Sequence, residues 1–67
     1  MDIKIIGARL RNARKANGMT QVELAAKIGV SQAKIARYER GEVDMSVSRL
    51  IAIMHAVGIG SEILQDL

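Results

Sequence analysis

Residues 20–41 read TQVELAAKIGVSQAKIARYERG, and this stretch decides how the rest of the chain is read. Thr20 is placed as a helix N-cap, and Glu23 three residues on completes a capping box, in which each side chain takes up a backbone N–H of the other residue. Met19 and Leu24 flank the cap as a hydrophobic staple. Leu24, Ala25 and Ile28 share one helical face, and Gly29 stops the helix. Only Ile28-Gly29-Val30 leads to the next N-cap, Ser31. Val30 and Ile35 form a second staple, Ile35 and Tyr38 share an inner face, and this helix stops near Arg40-Gly41. Two capped helices joined so briefly must turn sharply. Gly29 supplies the backbone freedom for that turn, and Ala25 leaves room for close packing. The pattern predicts a helix-turn-helix.

Upstream, Ile3, Ile6, Leu10 and Ala13 recur at steps of three and four, which predicts a helix over about 2–16 ended by Asn17-Gly18. Downstream, Ser46 caps a helix over about 47–57, with Met45 and Leu50 as its staple. Its expected inner stripe is Val47, Leu50, Ile51, Met54 and Val57, and Gly58 ends it. A short fifth helix after Ser61 carries Ile63, Leu64 and Leu67. No segment alternates with period two, and the chain has no Pro. The expected class is all-α.

A chain of 67 residues accommodates one domain, 1–67. At this size folding buries only about 60% of the unfolded surface, so small domains usually need a disulfide, a metal or a second copy. With no Cys and one His, disulfides, thiolate metal sites and a zinc site are set aside, and no cofactor is expected. A second copy remains. Hydrophobic residues make up 49% of the chain and Tyr38 is its sole aromatic residue, so the core is expected to be aliphatic. No apolar run approaches the ~18 residues of a membrane span. Asp2 and Lys4 interrupt the apolar N-terminus, and a cytoplasmic location is expected. An enzyme is not expected: His55 has no arranged Ser, Cys or carboxylate partner, and the six Gly are spread as helix stops and turns rather than gathered into a phosphate loop. Charge is uneven. Residues 1–40 hold nine Lys/Arg against three acids, a net +6, whereas residues 41–67 hold Arg49 against four acids, a net −3. A basic part beside a mildly acidic one suits a face that meets a polyanion.

The chain resembles the lambda-repressor-like helix-turn-helix family of phage repressors, Cro proteins and Xre-type regulators. The matching residues are Ile6-Gly7, Arg9-Leu10-Arg11 and Arg14, then Gly18-Met19-Thr20-Gln21, Glu23-Leu24-Ala25, Ile28-Gly29-Val30-Ser31-Gln32, Ile35 and Tyr38-Glu39-Arg40-Gly41, with Leu50, Ile51 and Ala56-Val57-Gly58 downstream. The resemblance implies a compact five-helix domain. It also implies a dimeric transcriptional regulator, a repressor by preference, that binds a palindromic double-stranded DNA operator. The same resemblance leaves open an antitoxin that binds both DNA and a toxin, a restriction control protein, or an adaptor that binds another protein partner in place of DNA. It further implies a buried ion pair between Arg14 and Glu39. The loop Gly41-Glu42-Val43-Asp44-Met45 departs from the family, which often carries a Pro and basic residues there, and Glu42 and Asp44 would repel a phosphate backbone.

In a helix-turn-helix the second helix, here about 32–40, lies in the major groove and its first residues reach base edges. With Ile35 inward and about 100° per residue, Ala33, Ala36, Arg37 and Arg40 point outward and Gln32 sits on the flank at the helix start. A Gln amide matches adenine N6 and N7, Ala meets a thymine methyl, and Arg forks onto guanine O6 and N7. Those chemistries assign Gln32, Ala33 and Arg37 to bases and Lys34 to a base or a phosphate. Gln21, at the positive start of the second helix, is expected to hold a phosphate. Thr20 is read equally as a cap or a phosphate contact. Ser31 is counted with the DNA-facing set, and Arg40 anchors its far end. Ile53, Ile59, Ile63, Leu64 and Leu67 exceed what so small a core covers and are expected at a dimer contact, with completion of the core as the alternative for Ile63 and Leu67.

Overall fold

Each helix starts where a side chain can take up free backbone N–H groups. The computed structural model describes residues 2–67, and Met1, counted in the expected domain, lies outside them. The helices are α1 (Ile3–Ala16), α2 (Gln21–Ile28), α3 (Gln32–Glu39) and α4 (Val47–Val57), followed by one 3₁₀ turn, Ser61–Leu64. Asp2 caps α1, accepting from the N–H groups of Lys4 and Ile5. At α2 both halves of the capping box are made, Glu23 N–H to Thr20 Oγ1 at 3.0 Å and Thr20 N–H to Glu23 Oε1 at 3.0 Å. Ser31 and Ser46 cap α3 and α4 by accepting from Lys34 N–H and Arg49 N–H, each at 3.1 Å. Gly29 takes φ 75°, and Val30 N–H closes back on Ala25 C=O at 3.0 Å, so the chain leaves α2 directly toward α3. No strand occurs among the described residues.

The expected fifth helix is a single 3₁₀ turn of four residues. Ser61 lies inside the turn and does not cap it. Gly60 holds the capping position without a side chain, and Asp66 at φ 57° breaks the backbone beyond. The turn nonetheless places Ile63 in the core, and Arg9 Nη1 pins it by donating to Ile63 C=O at 3.1 Å and to Gln65 C=O.

The core joins Ile6 and Leu10 of α1, Leu24 and Ala25 of α2, Ile35 and Tyr38 of α3, Leu50, Ile53, Ala56 and Val57 of α4, and Ile63. Two expectations change here. The inner stripe of α4 runs through Leu50, Ile53 and Val57, while Val47 and Ile51 are 68% and 45% exposed. Residues 50–57 are apolar on two adjacent faces, so periodicity alone does not choose between them. Ile53 and Ile63, assigned from sequence to a dimer contact, are 1% and 0% exposed and complete the core of the single chain. Among the others, Ile59 is half-buried against the core, and Leu64 and Leu67 are exposed.

Gly7 sets the crossing of α1 and α3. A Cβ there would overlap the carbonyl oxygen of Tyr38 and lie 2.8 Å from that of Glu39. Both obstacles are backbone and cannot swing aside. Gly7→Ala is expected to lower stability by about 1–3 kcal/mol, read as a lower urea midpoint at unchanged m-value.

The caps also set a dependence on pH. Bonding to the backbone N–H and the hydroxyl of Thr20 holds the Glu23 carboxyl below its ordinary range. Its own N–H and that of Gly60 do the same for Glu62. Lowered folded values mean a contribution fully present above the unfolded carboxylate range, about pH 4.3, and lost as pH falls through the lower folded values. Thermal melts should therefore give a Tm that is flat from about pH 5 upward with respect to these groups and falls below about pH 4.

Candidate nucleic-acid interface

The site is built on a buried polar knot. Arg14 reaches from α1 to the last residue of α3: its Nε donates to Glu39 Oε2 at 2.7 Å and its Nη2 to Oε1 at 3.0 Å. Both side chains are buried, 7% and 3% exposed. Arg14 Nη1 also donates to Met19 C=O at 2.7 Å, which ties the approach to α2 into the same knot. Hydrogen bonding to Glu39 raises the Arg14 guanidinium above its already high ordinary range, so Arg14 keeps its charge.

The knot continues outward. Gln21 Nε2 donates to Glu39 Oε1 at 3.0 Å, and Gln32 Nε2 donates to Gln21 Oε1 at 2.7 Å. Arg14, Glu39, Gln21 and Gln32 thus form one chain of bonds from the interior to the first residue of α3. Sequence reasoning placed Gln21 only at a phosphate; its first structural partner is Glu39. The order of donors also fixes the Gln32 amide. One Nε2 hydrogen is spent on Gln21, leaving the other hydrogen and Oε1 open.

Around it, Thr20, Ser31, Gln32, Ala33, Lys34, Arg37 and Arg40 are all exposed and Gln21 is half-buried. Ala36 is the correction: it was expected to point outward and is buried. α3 packs against both α1 and α2, and the flank carrying Ala36 closes against α1, lining a cleft there with Ala8. Lys34 leans back along α3, its Nζ 5.6 Å from the centroid of the Tyr38 ring, a cation–π contact on the flank. Arg40 is paired with Glu42, Nε to Oε2 at 2.8 Å and Nη2 to Oε1 at 3.0 Å. The cleft between α1 and α3 is further lined by Arg11, Asn12, Gln21 and Arg40. Neither Arg11 nor Asn12 was given a DNA contact from sequence; the +6 charge of the N-terminal part was the available signal. His55 is exposed, and among the described residues no cluster of three His or acidic side chains is arranged to hold a metal.

A family model described as Helix-turn-helix matches residues 10–64, from within α1 through the 3₁₀ turn. The chain belongs to the Xre/lambda-repressor-like helix-turn-helix family. This is a family of regulatory DNA-binding proteins, not enzymes. An uncharacterized transcriptional regulator in the ATPase CF(0) region of Rhodospirillum rubrum is 43% identical over 54 residues, 81% of this chain and 50% of that protein. The immunity repressor protein of Bacillus phage phi105 is 39% identical over 54 residues, 81% of this chain and 38% of that protein. The chain therefore spans half or less of the length of these two relatives. Among solved structures, the clp gene regulator ClgR from C. glutamicum superposes with TM-score 0.90 at 32% identity, covering 96% of this chain and 83% of that one. The restriction-modification controller protein C.AhdI from Aeromonas hydrophila superposes with TM-score 0.84 at 30% identity, covering 94% of this chain and 96% of that one. Among the described residues no helix is long and apolar enough to cross a membrane.

Proposed function

We propose that this chain binds a palindromic double-stranded DNA operator as a homodimer in the cytoplasm and represses transcription by occupying a promoter. The observation that carries the reading is the Gln32 amide. Gln21 fixes one of its hydrogens, and the remaining N–H and Oε1 are the donor and acceptor that the N7/N6 edge of adenine requires. Ala33, one residue on, is exposed toward a thymine methyl, and Arg37, one turn further along α3, reaches a guanine. The Thr20 and Ser31 hydroxyls accept from backbone as caps and keep their own protons, so each caps its helix and donates to a phosphate. Gln21, at the start of α2, and Lys34, on the flank of α3, serve the backbone, as does Arg40 when it is free of Glu42.

A chain measuring 29 × 22 × 18 Å lets two copies set their α3 helices one DNA turn apart, about 34 Å. The apolar side chains open to a second copy are Leu64 and Leu67, with half-buried Ile59 and, on α4, Ile51. A second reading, a restriction control protein, is favoured by the 96% coverage of the controller C.AhdI.

The test is selection from random duplexes with wild type and Arg37→Ala. Wild type should enrich a palindromic motif, and Arg37→Ala should lose preference at one base of each half-site, about 1–3 kcal/mol of discrimination. Enrichment of no motif by wild type would overturn the reading.

A further inference from the structure

Arg40, the residue that closes α3, is held by a carboxylate. Its guanidinium grips Glu42 with both forks, at 2.8 and 3.0 Å, and the two side chains are 58% and 50% exposed. The grip is local, across two residues, because Gly41 at φ 67° turns the chain back at the end of α3. Gly41 leaves no choice of path: a Cβ there would lie 2.6 Å from the Lys4 Cα. Arg40 also lines the cleft between α1 and α3, where Arg11 is the other cation.

We infer that Glu42 is an intramolecular competitor for DNA phosphate, holding Arg40 off the backbone so that the protein binds DNA more weakly and with less salt dependence than its cations allow. The inference rests on the DNA-binding reading. An ion pair in water is weak enough for a phosphate to displace, so Glu42 lowers affinity without abolishing it. The Arg40 guanidinium keeps its charge throughout, being raised by its bond to Glu42. Asp44, two residues on, carries the same charge in the same loop but belongs to neither ion pair found among the described residues. It separates a specific grip from general repulsion.

The experiment measures fluorescence-anisotropy binding to one labelled duplex of arbitrary sequence over a range of salt, for wild type, E42Q, D44N, R40A and R40A/E42Q. E42Q should bind roughly two- to five-fold tighter per protomer, as expected for releasing an exposed pair. Its plot of log K against log salt should steepen by about 0.9 per protomer, one more phosphate neutralised. Both gains should exceed those of D44N and vanish in the R40A background. E42Q binding like wild type or like D44N, or keeping its gain without Arg40, overturns the inference while leaving the DNA-binding reading in place. Salt-independent or absent binding by wild type overturns that reading, and the inference falls with it.

Discussion

Replacing Glu39 with Ala should lower the unfolding free energy by about 3–5 kcal/mol, the cost of leaving a buried charge without its partner. Glu39 accepts three hydrogen bonds, two from Arg14 and one from Gln21. Arg14 is 6% exposed and cannot turn to water without opening the contact between α1 and α3. Removing both charges is a different experiment. Arg14→Met with Glu39→Leu restores apolar packing and should recover much of the loss, since a buried pair contributes little net stability beyond satisfying itself. Urea denaturation of wild type and the two variants reads this directly, and a Glu39→Ala protein within about 1 kcal/mol of wild type would mean that Arg14 finds water. The double mutant carries a second consequence. Gln21 loses its acceptor on Glu39, so the amide that holds Gln32 is no longer anchored to the interior, and base discrimination should fall even where stability has returned.

Ile53→Ala should cost about 2–5 kcal/mol, through lost burial and the cavity left behind. Ile53 is 1% exposed and packs in the core with Leu50, Ala56 and Val57 of the same helix. As a residue of the single-chain core it should give the same loss at every protein concentration. A residue acting mainly through association would instead show a loss that varies with concentration, because a partner stabilises by mass action. Leu67→Ala is the contrast: at 46% exposure it should leave folding nearly unchanged and weaken self-association. Thermal melts across a wide range of protein concentration separate the two behaviours.

The helix boundaries were legible because short-range chemistry sets them. Thr20, Ser31 and Ser46 each face the N–H three residues on, and Gly29 and Gly58 each take the left-handed conformation that ends a helix. The inner faces of α2 and α3 were legible for a related reason: Leu24, Ile35 and Tyr38 are bordered by polar residues that leave one solution. α4 lacks that contrast. Its neighbouring apolar residues allow two stripes, and only contact with α1 and α2 selects Ile53 over Ile51. Ala36 was misplaced because α3 is covered from two sides, and a single inward direction cannot express that. The Gln21–Glu39 and Arg40–Glu42 contacts depend on how side chains meet once the helices are packed or the chain turns at Gly41. Spacing along the sequence carries neither. Arg9 illustrates the same limit, since its partners lie 54 and 56 residues away.

In the proposed function α3, oriented through the Arg14–Glu39–Gln21–Gln32 chain of bonds, reads DNA sequence. The most direct test of that reading is the ratio of affinities, at one fixed salt concentration near physiological, for the duplex enriched by wild type and for a shuffled duplex of the same length. Specific recognition predicts a ratio of about 10³ or more, and Gln32→Ala should reduce it. A ratio near one, with both affinities in the non-specific range of about 10⁻⁴–10⁻⁶ M, would mean that α3 does not read sequence.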